Sequence, residues 1–243
     1  MDRRATSVVR CNRLALVKQL LSLCIGVIRD AALYRTNSAA RLRADAEYKA
    51  VRPRVMEDQQ YRCRFCGYVS KRNHCHHLDG NHANNASSNF AVADSFCHAY
   101  HHLGQTASQD QFAHENLGRK TVLAALPELS ATDTNLLQRA IGVAMADPVE
   151  ADMATRMHTL LMDRSKPVKE SFGSFLPADF AAAMTSLQSD EEYENREAVV
   201  GDLRLIFRPD VLKHEGARFL EEFSSLPVQS WANIAKNARN TAA

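Results

Sequence analysis

Apolar residues recur at helical spacing through most of the second half of the chain. The clearest run places them three and four positions apart, at Leu136, Leu137, Ala140, Ile141 and Ala144. This period predicts one apolar face of a helix. Ser130, with Asp133 three residues later, is expected to cap its first turn. We expect this helix to pack against the central part of the chain.

A second apolar stripe follows at Met153, Met157, Leu160 and Leu161. Methionines at helical spacing are more often core residues than part of a cofactor site, so the stripe is predicted to be buried. Further helices are predicted over 178–187, 199–207, 211–223 and 228–235, with the acidic run 189–197 as a solvated helix start. Candidate core or interface aromatic residues are Phe207, Phe219, Phe223 and Trp231.

In the first half, residues 39–56 form a predicted helix rich in alanine and arginine, which Pro53 is expected to break or kink. The preceding apolar run, 14–33, contains Lys18, Arg29 and Asp30, so it is too charged for a membrane span or a clean signal peptide. It is either an amphipathic helix or a helix leading into a short strand over 21–27. Residues 1–38 are therefore treated as a basic N-terminal extension.

The central region changes from helical to strand-like patterning. Tyr68 and Val69 are expected to begin one strand, and 75–78 to form another. The Asn-rich run 78–89 is predicted to be a long loop, because Asp-Gly and Asn-rich sequences favour turns. Residues 90–93 are apolar again, and 96–103 look like a helix. The predicted order is strand, loop, helix.

The clustering of cysteine and histidine in the central region predicts a metal site there. The stretch 61–102 holds four of the six cysteines and seven of the ten histidines, and thiolate and neutral imidazole are the ligands that zinc prefers. Cys63-x-x-Cys66 followed by Gly67 is typical of a zinc knuckle rather than a disulfide, which indicates a reducing, cytoplasmic setting. An apolar fraction of 45% and a charged fraction of 24% are ordinary for a soluble globular protein.

Charge is distributed unevenly along the chain. Residues 1–72 carry 16 basic and 6 acidic side chains, a net charge of +10, which leaves −8 for residues 73–243. Two faces with different partners are one interpretation, and two solvated faces are the other.

The central motifs resemble the zinc-stapled ββα-metal fold of HNH endonucleases. The similar residues are Cys63, Cys66, the pair His76-His77, Asn89, Asp94, Cys97 and His98. The resemblance implies a structural zinc and a separate catalytic divalent metal such as Mg²⁺. It also implies His77 as general base, His76 and His98 as catalytic-metal ligands, and Asn89 as a brace for the loop.

One position departs from that family, because Asp94 stands where a cysteine is expected. Structural zinc sites favour sulfur and nitrogen, although a carboxylate can ligate the ion. His101, four residues after Cys97, shares its helix face. The predicted zinc ligands are Cys63, Cys66 and Cys97, with Asp94 or His101 as the fourth. For His74, His82 and His102, a surface or hydrogen-bonded role is expected instead.

Over residues 21–235 the chain resembles the IcmJ/DotN family of type IVB secretion coupling complexes. Three stretches carry this resemblance: 61–67, 78–90 and 125–147. It implies an HNH-like zinc fold used as a scaffold that binds the cytoplasmic coupling ATPase, beside the inner membrane. The retained His76-His77 pair departs from the scaffold pattern and keeps an HNH endonuclease acting on DNA, or a DNA-binding module without catalysis, as alternatives.

The sequence therefore predicts an α+β protein in three parts: a basic extension over 1–38, an HNH-like zinc module over 39–104, and a helical region over 105–243. The favoured function is a non-catalytic zinc-binding adaptor of a type IVB secretion or conjugation coupling complex, with the DNA endonuclease as the alternative.

Overall fold

The computed structural model describes residues 20–28, 39–103, 120–187 and 189–222. The helices are α1 (Ala39–Asp58), α2 (Ser95–His101), α3 (Ala131–Ala146), α4 (Ala151–Asp163), α5 (Ser165–Phe172), α6 (Pro177–Thr185), α7 (Asp190–Glu194), α8 (Glu197–Val200) and α9 (Pro209–Glu222). The strands are β1 (His74–His77), β2 (Phe90–Ala93), β3 (Thr121–Ala125) and β4 (Leu203–Phe207). The α+β class predicted from the sequence is confirmed.

The central module has the predicted strand, loop and helix in that order, with a second strand, β2, between the loop and the helix that the sequence analysis did not predict. β1 and β2 pair antiparallel, with His74 opposite Ala93 and His77 opposite Phe90, and α2 begins directly after β2. Asp94 caps α2 by accepting hydrogen bonds from the amides of Phe96 and Cys97. The strand predicted at Tyr68 and Val69 is wrong, since Val69 makes only an isolated bridge to Arg62.

The C-terminal region contains a second sheet that the sequence pattern did not predict. β3 and β4 pair antiparallel, with Thr121 opposite Phe207 and Ala125 opposite Leu203. The helix predicted over 199–207 is therefore wrong: α8 ends at Val200 and β4 occupies the rest. Every residue of β4 is buried, so the strand lacks the apolar and polar alternation that would distinguish it from a helix.

α4 buries a different face from the one predicted. Met153, Met157 and Leu160 are 51%, 43% and 68% exposed, whereas Leu161 is buried. The helix contacts the core through Ala154, His158 and Leu161. These residues also lie at helical spacing, so the pattern contains two candidate faces and only packing selects between them.

The predicted apolar face of α3 is confirmed in part, because Ile141 is buried and Leu137 and Ala144 are half-buried against the core. Ser130 caps this helix as predicted. Leu136 is 43% exposed and Ala140 is exposed as well, while Thr134, Asn135 and Gln138 are fully buried. The helix does pack against the central module, and it does so with polar side chains.

One large apolar core joins α2, α3, α4 and α9 to the strands β3 and β4. Phe96 of α2 stacks on Phe207 of β4, with ring centroids 4.5 Å apart. Smaller apolar clusters lie beneath α1 and around the cysteines. The predicted boundaries of the three parts stay predictions, although residues on both sides of the 104/105 boundary share this core.

The described part of the N-terminal extension, Leu20–Ile28, forms neither the helix nor the strand considered for it. It is an irregular segment held by the acidic helix α7 and the residues after it. Val27 donates its amide to the Tyr193 hydroxyl, and Arg196 donates to the carbonyl of Ile25. Among the described helices, none is long and apolar enough to span a membrane. Phe223, Trp231 and the helix predicted over 228–235 lie outside the described residues.

Candidate metal centre

The cysteine knuckle is built by a tight turn. Gly67 adopts a left-handed φ of 79°, which glycine tolerates without steric cost. Its amide donates to the carbonyl of Cys63 at 2.9 Å, and the amide of Cys63 donates to the carbonyl of Tyr68 at 2.8 Å. Arg64 bonds through its amide to Val92 of β2. The turn is therefore attached to the sheet that leads into α2.

This arrangement brings four candidate ligands together. The sulfur atoms of Cys63, Cys66 and Cys97 and a carboxylate oxygen of Asp94 all lie within 4.8 Å of one another. Cys63, Cys97 and Asp94 are at most 1% exposed. Three cysteine sulfurs and one carboxylate oxygen this close together form a group that could hold a metal ion.

The thiols compete for protons at this point. Hydrogen bonding among the three sulfurs lowers the pKa of Cys63 and raises the pKa of Cys66 and of Cys97. A metal ion would bind all three as thiolates, so the protons on Cys66 and Cys97 would leave when the ion binds.

Of the two predicted fourth ligands, the structure places Asp94 in the cluster and His101 outside it. Asp94 Oδ2 lies 2.6 Å from Cys66 Sγ, while Asp94 Oδ1 accepts the amides of Phe96 and Cys97. The His101 ring lies against the ring of His76, with centroids 4.4 Å apart. Burial lowers the pKa of His101 to about 4.

A second group of candidate ligands consists of imidazoles alone. One ring nitrogen from each of His76, His98 and His102 lies within 4.8 Å of the others. Burial is the main cause that lowers the pKa of His76 and His98 well below the usual range. Neutral imidazoles offer a lone pair to a divalent cation. This group could hold a metal separate from the cysteine cluster.

His77 lies apart from this group, on the opposite side of β1, since neighbouring residues of a strand face opposite ways. Its ring packs against Phe90, and Nε2 lies 3.1 Å from Asn85 Oδ1. Asn89 fixes the loop between the strands: its Nδ2 donates to Asp79 Oδ1 and to the carbonyl of Asn84. The roles that the HNH resemblance implies for these two residues stay predictions.

Comparison with known proteins agrees with the resemblance to the IcmJ/DotN family. No protein-family model matches the chain. The chain is 27% identical over 207 residues to the type 4 apparatus protein DotN of Legionella pneumophila, across 82% of this chain and 92% of DotN. The resemblance to the IcmJ/DotN family is confirmed. The match to DotN does not test the HNH-like assignment, which stays a prediction.

Several residues at these sites were missed by sequence reasoning. His102 was assigned a surface or hydrogen-bonded role, although it lies only four residues after His98, directly beyond the end of α2. Asn135 and Arg139 of α3 contact the cysteine cluster through Cys97 and Asp94. Nothing in the sequence places these two beside ligands some 40 positions away, because their contact depends on how α3 docks.

Proposed function

We propose that this protein is a zinc-binding adaptor of a bacterial type IVB secretion or conjugation coupling complex. In this role it binds the coupling ATPase in the cytoplasm, at the inner membrane, and catalyses no reaction. The observation that carries the proposal is the match to the type 4 apparatus protein DotN, because it extends over 92% of that protein. A similarity of that length supports a shared role for the whole chain rather than one shared motif.

Zinc in this adaptor is structural. The candidate ligands Cys63, Cys66, Cys97 and Asp94 close a four-donor site with no position left for substrate, as in structural zinc sites. The knuckle itself has a small apolar cluster. A bound ion would contribute folding free energy to it directly.

The proposal is tested by recovering the tagged protein from its own host and identifying bound proteins by mass spectrometry. Zinc is quantified on the same sample. We expect a coupling ATPase in the eluate and about one zinc per chain. A nuclease-treated lysate serves as control, because contacts bridged by DNA are lost there. Recovery of nucleic acid without any secretion component would contradict the adaptor proposal.

A DNA endonuclease is the second candidate function, and the imidazole group favours it. His76, His98 and His102 could hold a divalent cation on a scissile phosphate. The HNH resemblance assigns the general base to His77, which lies on the other face of β1. The basic residues before Cys63 would bind phosphates in a salt-dependent way.

This candidate is tested by incubating purified protein with supercoiled plasmid and Mg²⁺, Mn²⁺ or Ni²⁺. Under the endonuclease hypothesis, His98→Ala and His77→Ala both lose nicking activity, while the exposed His214→Ala retains it. A plasmid left intact by the wild type with all three ions would remove the endonuclease candidate. Binding in a gel shift without nicking would instead favour a DNA-binding module.

A further inference from the structure

Two polar side chains of α3 face the cysteine cluster from the helical side of the molecule. Asn135 Nδ2 donates to Cys97 Sγ at 3.4 Å. One helical turn later, Arg139 Nη2 lies 3.2 Å from Asp94 Oδ2. Each residue thus contacts one candidate ligand, and their spacing of four puts them on the same face of α3.

The buried position of Asn135 has an energetic cost. Asn135 is 1% exposed, and its Oδ1 has no hydrogen-bond partner among the described residues. A buried acceptor without a partner is unfavourable. An apolar side chain would avoid that cost, so the N–H donated to Cys97 is what the amide contributes here.

Arg139 is held in place by more than its charge. Its guanidinium lies 3.7 Å from the centroid of the Tyr68 ring and 5.0 Å from that of Phe96, and its side chain is only 12% exposed. Stacking of this kind fixes the planar group and favours arginine over lysine. The guanidinium is thereby directed at the carboxylate of Asp94.

The charge of a metal-loaded cluster explains why a cation is needed there. Three thiolates and one carboxylate carry four negative charges, so a divalent ion leaves the buried site at −2. Uncompensated charge in a protein interior is unfavourable. Arg139 reduces the net charge to −1, and the N–H of Asn135 withdraws electron density from the Cys97 sulfur.

We infer that α3 supplies the side chains that contact and orient two ligands of the metal centre. Arg139 and Asn135 are positioning residues that hold Asp94 and Cys97 for the ion, so metal binding and docking of α3 against the knuckle are energetically coupled. This inference rests on the proposed metal at the cysteine cluster. It adds that the helical region determines how tightly this metal is bound.

The test measures cobalt(II) affinity by competition with a chromophoric chelator, because cobalt replaces zinc and reports its ligands by absorption. Arg139→Met is expected to weaken cobalt binding about 10- to 100-fold and to shift the thiolate-to-cobalt charge-transfer band. Arg139→Lys should recover part of the affinity. The matched control is Arg164→Met, since Arg164 pairs with Glu128 on the surface and should leave affinity and spectrum unchanged.

A double-mutant cycle assigns the effect to the carboxylate. Asp94→Asn keeps a capping side chain on α2 but removes the negative charge. If Arg139 acts through Asp94, then Arg139→Met should cost little further affinity in the Asp94→Asn background. Equal losses in both backgrounds would contradict this route.

Hydrogen exchange on the wild type keeps the inference testable if Arg139→Met does not fold. Zinc should slow exchange across α3, and unchanged exchange there would overturn the coupling. A wild type that binds no cobalt would overturn the metal assignment together with this inference. A wild type that binds cobalt no more than twofold tighter than Arg139→Met overturns this inference alone.

Discussion

At the scale of single residues, the properties of the cysteine cluster come from how its short side chains are held. The two carboxylate oxygens of Asp94 have different contacts. Oδ1 accepts amides at the start of α2, and Oδ2 lies beside Cys66 and Arg139. Capping also fixes the first turn of α2, which carries Cys97. One aspartate in place of the expected cysteine therefore provides both a cap and a candidate ligand.

Loss of a single sulfur should release the metal. We expect Cys66→Ser to abolish binding of about one zinc per chain, because a serine hydroxyl is a poor zinc ligand. The variant should also lose solubility, since the ion contributes to folding. Elemental analysis of the purified protein measures the stoichiometry.

Cys75→Ala is the matched control for that variant. Cys75 is buried in β1, and burial raises the pKa of its thiol to about 12. It lies outside both candidate ligand groups among the described residues. Its loss should leave the zinc content unchanged, and unchanged zinc in Cys66→Ser would contradict the ligand assignment.

At the scale of secondary-structure elements, α3 and α9 approach so closely that their glycines are required. A Cβ atom at Gly216 would overlap the carbonyl group of Gly142, and a Cβ at Gly142 would overlap the carbonyl of Leu212. Both neighbours are backbone atoms, which cannot move aside as a flexible side chain can. This contact sets the distance between the two helices.

Gly216→Ala should therefore destabilise the protein by about 1–3 kcal/mol, although alanine is the better helix former. The free energy of unfolding is measured by urea denaturation. Ala217→Ser, on the exposed face of the same helix, should change it by no more than about 0.5 kcal/mol. A stabilised Gly216→Ala variant would show that the helices are not in contact at this point.

Another contact between elements makes stability depend on pH. His158 of α4 is 2% exposed, and its Nε2 donates to the carbonyl of Phe207 in β4 at 2.7 Å. Burial lowers the pKa of His158. Below its unfolded pKa of about 6.5 the unfolded chain binds the proton more readily, so this residue's contribution to stability falls as pH falls, by at most about 1.4 kcal/mol per unit.

His158→Gln should thus destabilise the protein most at pH 7.5, and the difference from wild type should shrink toward pH 5.5. Urea denaturation of zinc-saturated protein at three pH values measures this difference. His214→Gln is the control, because His214 is exposed on α9. A constant difference between His158→Gln and wild type would mean that His158 is not buried as a neutral ring.

At the scale of the whole molecule, the module that contains the candidate metal centre and the helical region are joined through α2. Tyr100 is fully buried in the shared core, and its hydroxyl accepts the amide of Leu205 in β4 at 3.0 Å. That amide points away from β3, because Leu123 and Leu205 are opposite each other in a pair without mutual hydrogen bonds. The Tyr100 hydroxyl thus accepts an amide hydrogen bond at an edge of the second sheet where no neighbouring strand is paired among the described residues.

Tyr100→Phe should cost about 1–3 kcal/mol, since it leaves the buried amide of Leu205 without an acceptor. The ring still fills the core, so the loss reports the hydrogen bond rather than a cavity. Tyr61→Phe, at a half-buried position beside the knuckle, is the control. Equal unfolding free energies for Tyr100→Phe and wild type would show that water satisfies the amide.

The sequence by itself determined the features that depend on local spacing and residue chemistry. Ser130 predicted a helix start, the run 75–78 predicted the strand β1, and the C-x-x-C pair predicted a knuckle, because caps, strands and turns depend on neighbours in the chain. The concentration of cysteine and histidine predicted the region of the candidate metal centre for the same reason. The resemblance to the IcmJ/DotN family was also visible in the sequence, in the stretches 61–67, 78–90 and 125–147.

Only the tertiary structure decided which side chains face one another. The face of α4 was mispredicted because the helix carries two stripes at suitable spacing, and docking selects the buried one. The face of α3 was mispredicted in part, because docking also buries polar side chains that no apolar pattern marks. Asn135 and Arg139 contact the cysteine cluster from α3, which is far from the cysteines in the chain. His102, after the end of α2, lies beside His76 of β1. Such contacts depend on the free energy of packing the whole molecule, which no local pattern contains.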